Sequence, residues 1–263
     1  MLTKIETAAK QAGQILLSAQ DIRSSVSQKE GIGNFVTHYD IQVQNFLRET
    51  LLNILPEAHF ILPEAHFVGE EELIHEDVLD KLAFIVDPID CTANFVRAMN
   101  HSAVSIALAQ DGEVICGVVY NPYRDELFSA QKDHGAFLNH QPITVSNRSL
   151  SDGIFCFGTS PYDLSQRART LAIAGQLMNR MQDLRRFGSA ALDLTDIACG
   201  RVELGFECVL QPWDFAAGAL ILSEAGGIAT QLNGEPLTLN RPCSILSGNK
   251  QAHAEFLSLQ LGL

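Results

Sequence analysis

The segment Asp87-Pro88-Ile89-Asp90-Cys91-Thr92 has the residue types and spacing of a combined metal and phosphate site. Its two carboxylates are three residues apart, and the proline between them restricts the turn, so both side chains can converge on one point. Carboxylate oxygens suit a hard cation. If Cys91 and Thr92 begin a helix, their N–H groups and the helix dipole also offer a place for an anion. Alternatively, the two aspartates only cap a helix and complete a turn, and this segment alone leaves both interpretations open.

Two distant segments supply further acidic residues. Glu70 is the first of three consecutive glutamates, which by themselves favour an exposed helix start. Asp214 follows the only tryptophan, Trp213, and precedes Phe-Ala-Ala-Gly. A role as N-cap explains the position of Asp214, but the small residues after it indicate a helix that packs very close to a neighbour. Such packing would hold Asp214 rigidly.

The hydrophobic pattern predicts the elements that position these residues. Residues 82–86 (LAFIV) predict a strand that is buried on both faces and ends at Asp87-Pro88. Asp111-Gly112 separates two apolar runs and predicts a β-hairpin, and residues 126–131 predict a third strand. No linker rich in Pro, Gly or Ser divides the chain. The pattern therefore predicts two closely joined α/β halves, residues 1–150 and 151–263.

Composition and charge narrow the possible partners and the location. The chain has 18 Lys and Arg against 31 Asp and Glu, a net charge of −13, which argues against direct nucleic-acid binding as the main activity. Its six cysteines contain no CxxC pair, and its first ten residues lack the apolar core of a secretion signal. These features predict reduced thiols in the cytoplasm. No apolar run approaches the ~20 residues of a membrane span, so we expect no membrane association.

The heptad ILPEAHF occurs twice in succession, at residues 54–60 and 61–67. Two copies of seven residues are too short for a repeat architecture, which needs at least three units of about 20 residues or more. We interpret the duplication as a lengthened surface connection and predict an exposed bulge at 56–63. The alternative is a metal-binding patch formed by the glutamates and histidines of the two copies, Glu57, His59, Glu64 and His66.

Three ordered motifs resemble the inositol monophosphatase family of magnesium-dependent, lithium-sensitive phosphatases. They are Gly69-Glu70-Glu71, the run DPIDCTANF at 87–95, and the run WDFAAGALILSEAGG at 213–227. Residues 36–40 and 188–193 match two further family segments in the same order. The resemblance spans almost the whole chain. It implies a layered αβαβα sandwich of the sugar-phosphatase type, with two mixed sheets and helices between and outside them, and it implies a homodimer.

The resemblance also implies the composition of the site. Glu70, Asp87 and the carbonyl oxygen of Ile89 would hold one Mg²⁺, whereas Asp87, Asp90 and Asp214 would hold a second. Thr92, paired with Asp40 and assisted by Glu70, would orient and deprotonate the attacking water. The amides near Cys91 and Thr92 would bind the phosphate. The residues implied to contact the substrate are Glu70, Ile89, Asp90, Cys91, Thr92, Gly188, Ser189, Ala190, Glu207 and Asp214.

The chain departs from the family at Cys91, where relatives have glycine between the aspartate and the threonine. If φ at this position is positive, cysteine costs on the order of 1–3 kcal/mol and distorts the site.

The resemblance as a whole implies a phosphatase for myo-inositol monophosphate or a related sugar phosphate, with fructose 1,6-bisphosphate and histidinol phosphate as alternative substrates. The alternative function is that of a catalytically impaired interaction protein, because bacterial members of the family associate with the transcription machinery.

Overall fold

The computed structural model describes residues 1–28, 35–61, 81–161 and 163–261 of the chain. The helices in these ranges are α1 (Leu2–Ser18), α2 (His38–Ile54), α3 (Thr92–Val96), α4 (Arg167–Met178), α5 (Ala190–Ala198), α6 (Pro212–Glu224) and α7 (Lys250–Ser258). The strands are β1 (Val26–Gln28), β2 (Phe35–Thr37), β3 (His59–Ile61), β4 (Ala83–Asp90), β5 (Ala103–Gln110), β6 (Glu113–Asn121), β7 (Glu126–Gln131), β8 (Ala136–Leu138), β9 (Gln141–Pro142), β10 (Ile154–Phe157), β11 (Asp183–Arg185), β12 (Leu204–Leu210), β13 (Ile228–Thr230) and β14 (Cys243–Gly248). Glu70 and residues 62–67 of the second heptad lie outside the described residues.

The N-terminal half contains a mixed sheet in the order β3-β4-β5-β6-β7-β8-β9. Only its β3–β4 pair is parallel, and the remaining pairs are antiparallel. The predicted hairpin is confirmed: β5 and β6 are joined by Asp111 and Gly112, with φ values of 51° and 78°. Positive φ at both positions is the requirement of a type I′ turn, which Asp-Gly meets at little steric cost.

Strand β4 carries the acidic motif, and all of its residues are buried. The prediction that this strand ends at Asp87-Pro88 is wrong, because β4 continues to Asp90. Its pairing with β5 shifts register between Asp87, opposite Ser105, and Asp90, opposite Ala103. Proline has no N–H group to donate to a neighbouring strand, so the chain bulges at this point and then resumes pairing.

The C-terminal half contains a second mixed sheet in the order β11-β10-β12-β14-β13. Strand β10 is parallel to both β11 and β12, whereas β14 is antiparallel to β12 and β13. The last strand of the first sheet ends at Pro142, and the second sheet begins at Ile154. The division into halves near residue 150 remains a prediction.

Three buried apolar clusters hold the layers together. One joins α1 and α2 to the outer face of the first sheet, and includes Leu16, Leu47 and Ile106. A second lies between the sheets and contains α5 and α6. A third joins α4 and α7 to the outer face of the second sheet, and includes Leu177 and Phe256. The order of layers is αβαβα, with two mixed sheets, which confirms the predicted fold.

Helix α6 packs unusually close to its neighbours because small residues line its surface. A Cβ at Gly218 would lie 2.8 Å from the Cβ of Leu194 in α5, and a Cβ at Gly117 in β6 would lie 2.7 Å from the carbonyl oxygen of Ala217. Real Cβ atoms do not approach this closely, so glycine is required at both contacts. This packing fixes the start of α6, and with it Asp214.

The expectation of an exposed bulge at 56–63 is wrong for part of that segment. Ala58 is buried, and residues 59–61 form β3, which pairs with Ala83–Ile85 at the edge of the first sheet. Parallel pairing of backbone groups at this edge outweighs the preference of a duplicated segment for a loop. The proposed histidine and glutamate patch extends beyond the described residues at Glu64 and His66. Among the helices that the structure describes, none is long and apolar enough to cross a membrane.

Candidate active site

Three carboxylates, two at the carboxyl end of β4 and one in the first turn of α6, converge on one place. Asp87, Asp90 and Asp214 each offer an oxygen atom, and these oxygens lie within 4.8 Å of one another. Asp87 and Asp90 are buried, with exposed fractions of 8% and 4%, and Asp214 is partly buried. The segments are far apart in sequence and meet because α6 packs against β4, β5 and β6.

Asp87 and Asp214 are each held by a hydrogen bond from a backbone N–H nearby in the sequence. Asp87 Oδ1 accepts from the Ile89 N–H at 3.0 Å, across the bulge of β4. Asp214 Oδ2 accepts from the Gln211 N–H at 2.8 Å and completes a capping box at the start of α6. These bonds orient the side chains before any ligand binds.

Asp90 is held by the start of helix α5. Its Oδ2 accepts from the Ser189 hydroxyl and, at 2.8 Å, from the Ala191 N–H. The Ser189 oxygen also accepts from the Leu192 N–H at 3.2 Å and caps the helix. Ser189 therefore positions Asp90 with its side chain. The family resemblance implied only a contact between Ser189 and the substrate.

Burial and mutual repulsion oppose ionisation of the three acids when nothing cationic is present. Burial raises the pKa of Asp87 well above its ordinary value, and the negative charges of Asp90 and Asp214 add to this effect. Burial likewise raises the pKa of Asp90 to about 6, against hydrogen bonds led by the Ser189 hydroxyl. A divalent cation would remove this repulsion, and the all-oxygen donor set suits Mg²⁺. The residues present therefore fit the implied metal.

Thr92 and Asp40 lie side by side, although they are far apart in sequence. The Thr92 hydroxyl donates to Asp40 Oδ1 at 2.9 Å and lies 3.2 Å from the carbonyl oxygen of Ile89. Asp40 Oδ2 accepts from both the N–H and the hydroxyl of Thr37, each at 2.7 Å. Asp40 is thus fixed by the capping box of α2. Burial raises its pKa, while the hydrogen bonds from Thr37 and Thr92 oppose that shift.

Cys91 adopts the left-handed backbone conformation, with φ 65° and ψ 63°. This is the conformation that makes glycine favourable at the position, and a residue with a Cβ is strained there. The Cys91 carbonyl accepts from the Ser102 hydroxyl at 3.0 Å and from the Asn94 N–H at 3.0 Å. Burial raises the pKa of the Cys91 thiol to about 12, so it stays protonated near neutral pH. The strain that cysteine was expected to bring is present, yet the three acids still converge.

The first turn of α3 presents free amides beside the acids. No hydrogen bond among the described residues uses the N–H groups of Thr92 and Ala93. The turn is braced by Asn94, whose Nδ2 donates to the carbonyl oxygens of His101 at 2.8 Å and Phe187 at 2.9 Å. Asn94 therefore ties the DPID segment to the turn that contains Gly188.

Glu207 lies on β12 in a space left by Gly158. A Cβ at Gly158 would lie 1.8 Å from Glu207 Oε2, so no other residue fits there without displacing the carboxylate. Glu207 Oε1 accepts from the Ser160 N–H at 2.7 Å. Burial raises the pKa of Glu207 to about 7, against the hydrogen bond from Ser160 and the nearby charge of Arg186. Gly188, with φ 107°, lies in the neighbouring turn.

The structure adds residues that the sequence did not single out. Thr37 and Asn94 had visible signals, because Thr37 begins a T-x-x-D capping box and Asn94 belongs to the acidic motif. Ser160 and Arg186 had none, since each reaches its partner only through the tertiary fold. Glu70, implied as both metal ligand and catalytic residue, lies outside the described residues.

Comparisons with known proteins identify the family of the chain. The profile of the inositol monophosphatase family matches residues 1–261. The chain is 38% identical over 236 residues to the Nus factor SuhB of Escherichia coli (strain K12), covering 89% of this chain and 86% of that protein. It is 34% identical over 256 residues to an inositol-1-monophosphatase of Caulobacter vibrioides, covering 96% and 97%.

A solved structure shares the fold over nearly the full length. The extragenic suppressor protein suhB of Bartonella henselae superposes with a TM-score of 0.87 at 34% identity, covering 99% of this chain and 98% of that chain. Family profile, sequence identity and fold agree over the same residues. This chain is a member of the inositol monophosphatase family.

Proposed function

We propose that this chain is a Mg²⁺-dependent phosphatase that hydrolyses a small phosphate monoester, myo-inositol monophosphate or a related sugar phosphate. The observation that carries the proposal is the convergence of Asp87, Asp90 and Asp214 beside the Thr92–Asp40 pair. Glu70 is proposed to complete the metal ligands together with the Ile89 carbonyl oxygen. Lithium sensitivity, a homodimeric assembly and a cytoplasmic location belong to the same proposal.

The acids would hold two Mg²⁺ ions, with Asp87 shared between them. Bound there, Mg²⁺ would neutralise the phosphoryl oxygens, lower the pKa of the attacking water and stabilise the departing alkoxide. The free N–H groups at the start of α3 would hold the phosphate oxygens. In this arrangement Asp87, Asp90 and Asp214 are all ionised, which the metal-free site disfavours. Substrate phosphate would therefore bind well only after bound cations have changed the net charge of the pocket from negative to positive.

Thr92 and Asp40 are proposed to manage the proton of the attacking water. Because the Thr92 hydroxyl donates its own hydrogen to Asp40, its oxygen lone pairs remain available to accept a hydrogen bond from water. Proton movement can then run from water to the Thr92 oxygen and from its hydroxyl to Asp40. The raised pKa of Asp40 suits an acceptor of this proton. Glu207, Asp214 and the Gly188–Ala190 turn would contact the hydroxyls of the alcohol.

The test is turnover of purified protein on a panel of monoesters with MgCl₂, with and without LiCl. Asp90→Asn and Asp214→Asn should each reduce turnover on the best substrate at least 100-fold, while the thermal unfolding midpoint is retained. Absence of turnover on every ester by folded protein would contradict the proposal.

A second candidate is a role in transcription, which the 38% identity to a Nus factor favours. The strained backbone at Cys91 is the feature that favours a protein with impaired catalysis. Calorimetric titration with MgCl₂ separates the candidates. The phosphatase proposal requires saturable binding that Asp214→Asn weakens, and a protein that acts only by interaction has no such requirement.

A further inference from the structure

Arg186 lies at the alcohol end of the candidate site. Its Nη2 donates to the Thr159 hydroxyl at 3.0 Å, and Thr159 stands between Gly158 and Ser160, the two residues that accommodate Glu207. Its Nη1 lies 2.6 Å from the position that a Cβ at Gly188 would occupy. The guanidinium therefore spans the two turns between which the alcohol is proposed to bind.

This position exists because residue 188 is glycine. A Cβ there would also lie 3.1 Å from Asn94 Nδ2 and 3.1 Å from the Cys91 Sγ atom. Any larger residue would displace the guanidinium, so the turn leaves space for Arg186 next to the substrate pocket. The hydrogen bond to Thr159 then holds one end of the planar group in place.

The charge of Arg186 has no ion-pair partner in the part of the chain that the structure describes. Its neighbour Arg185 forms an ion pair with Asp183, whereas no ion pair among the described residues involves Arg186. The guanidinium nevertheless acts on the site electrostatically. It opposes the upward shift that burial imposes on the pKa values of Glu207, Asp193 and Cys91.

The remaining N–H donors of Arg186 have no hydrogen-bond partner in the part of the chain that the structure describes. A guanidinium has five N–H donors in a planar fork that matches a carboxylate or a phosphate. The Thr159 hydroxyl uses one of them, and no other hydrogen bond of Arg186 occurs among the described residues. A neutral polyol would offer these donors no charged acceptor, whereas a carboxylate or a phosphate on the alcohol would.

We propose that Arg186 is a specificity-determining residue that binds a second anionic group, a carboxylate or a phosphate, on the alcohol portion of the substrate. The inference rests on the proposed phosphatase function and narrows its substrate class. The preferred substrates are phosphate monoesters whose sugar or cyclitol also carries a negative charge distant from the ester.

Three compounds on one ring provide matched probes: glucose 1-phosphate, glucuronic acid 1-phosphate and glucose 1,6-bisphosphate. The first is neutral at C6, the second carries a carboxylate there and the third a phosphate. The quantity to measure is kcat/KM for release of the C1 phosphate with MgCl₂, expressed as the ratio of each anionic compound to glucose 1-phosphate. Inositol 1-phosphate is included as a test of phosphatase activity itself.

Arg186→Gln should lower the ratio for at least one anionic compound about 10- to 100-fold, the value of a hydrogen bond to a charged group. Arg186→Lys should restore part of the ratio, since lysine keeps the positive charge but lacks the planar set of guanidinium N–H donors. The matched control is Arg185→Gln, which should leave the ratios as in the wild type. Thermal unfolding and size-exclusion chromatography of all variants check fold and assembly.

Outcomes that overturn the inference are distinct from failure of the phosphatase proposal. Equal ratios in wild type and Arg186→Gln would exclude the role of Arg186 and leave the phosphatase proposal intact. Hydrolysis of inositol 1-phosphate, with neither anionic compound hydrolysed or bound in calorimetric titration with MgCl₂, would likewise exclude the role of Arg186 and leave the phosphatase proposal intact. Failure of all four compounds to be hydrolysed or bound would overturn both proposals.

Discussion

Cys91 combines a left-handed backbone with a partly buried thiol at the centre of the candidate site. A residue with a Cβ costs roughly 1–2 kcal/mol in this conformation relative to glycine. The position is nevertheless well held, because its carbonyl oxygen accepts hydrogen bonds from Ser102 and Asn94. Surrounding contacts therefore impose the backbone geometry, and the cysteine conforms to it.

Cys91→Gly should stabilise the protein. Relief of the strain is partly offset by the ~0.5–1 kcal/mol of backbone entropy that glycine loses on folding, so the free energy of unfolding should rise by about 0.5–1 kcal/mol. Urea denaturation measures the change. Cys91→Ala is the control, since it removes the thiol and keeps the Cβ, and it should bring no such gain. Greater turnover by the glycine variant would indicate that cysteine limits activity, and destabilisation would show that the thiol contributes more than its backbone costs.

Thr92→Ala should reduce kcat about 10²- to 10⁴-fold, the usual contribution of general acid–base catalysis. The physical reason is the loss of the hydroxyl that donates to Asp40 and is proposed to accept the proton of the attacking water. Thr92→Ser keeps that hydroxyl and should retain most of the activity. Mg²⁺ affinity measured by calorimetry should be the same in all three proteins, because Thr92 is not a proposed ligand. Equal kcat values for the alanine and serine variants would contradict the proton relay.

At the scale of elements, the site depends on where strands and helices end. The bulge that Pro88 causes in β4 brings Asp87 and Asp90 to the same place. The start of helix α5 holds Asp90 by hydrogen bonds, and the close packing of α6 brings Asp214 to the same point. Each of these elements holds one of the acids at one of its ends, so a shift of any one element would separate the acids.

Deleting residues 61–67 tests how the duplicated heptad relates to β3. The deletion leaves one copy of the heptad and joins Phe60 to Val68. In the observed register His59 pairs with Ala83 and Phe60 with Phe84, so continued parallel pairing would place Glu70 opposite Asp87. We expect the deletion variant to fold and to bind Mg²⁺ at least as tightly as the full chain, as measured by calorimetry.

The control for this deletion is the same variant with Glu70→Gln, which should bind Mg²⁺ more weakly because it loses a proposed carboxylate ligand. Both proteins need an unfolding transition like that of the full chain. Weaker Mg²⁺ binding by the deletion variant, with its fold intact, would show that the second copy is needed to position Glu70.

At the scale of the whole molecule, the dominant property is excess negative charge. The net charge of −13 includes a group of buried acids whose pKa values are raised mainly by burial. Such acids bind protons more tightly in the folded protein than in the unfolded chain. Their contribution to stability is therefore greatest below their ordinary pKa values and is lost as the pH rises through their folded-state values.

The metal-free protein should lose stability as the pH rises through about 6 and about 7, where Asp90 and Glu207 ionise in the folded state. Mg²⁺ should compensate by pairing with the ionised ligands, so it should raise the unfolding midpoint more at pH 8 than at pH 5. Differential scanning fluorimetry in EDTA and in MgCl₂ measures both trends. Asp90→Asn should reduce the pH dependence in EDTA. A Mg²⁺ effect that is larger at pH 5 would contradict this assignment.

Local chemistry along the chain was sufficient to predict several features. The Asp111-Gly112 hairpin follows from turn preferences, and the layered fold follows from the family motifs. The convergence of Asp87 and Asp90 was foreseeable from their spacing around proline. The hairpin and the approach of the two aspartates depend on residues close in sequence, where backbone dihedrals and side-chain reach limit the possibilities. The layered fold was instead predicted from the resemblance of motifs spread over the whole chain.

Other features depend on contacts between distant segments, which no local pattern encodes. The extension of β4 to Asp90 required β5 as a partner, and pairing of β3 with β4 made a strand of a segment expected to be a loop. The Ser189 hydroxyl turned toward Asp90 because α5 begins beside it. The Arg186 guanidinium lies beside the turn of Gly188 only because that residue has no side chain. Residue types thus determined which chemistry is possible, and long-range packing decided which side chains take part in it.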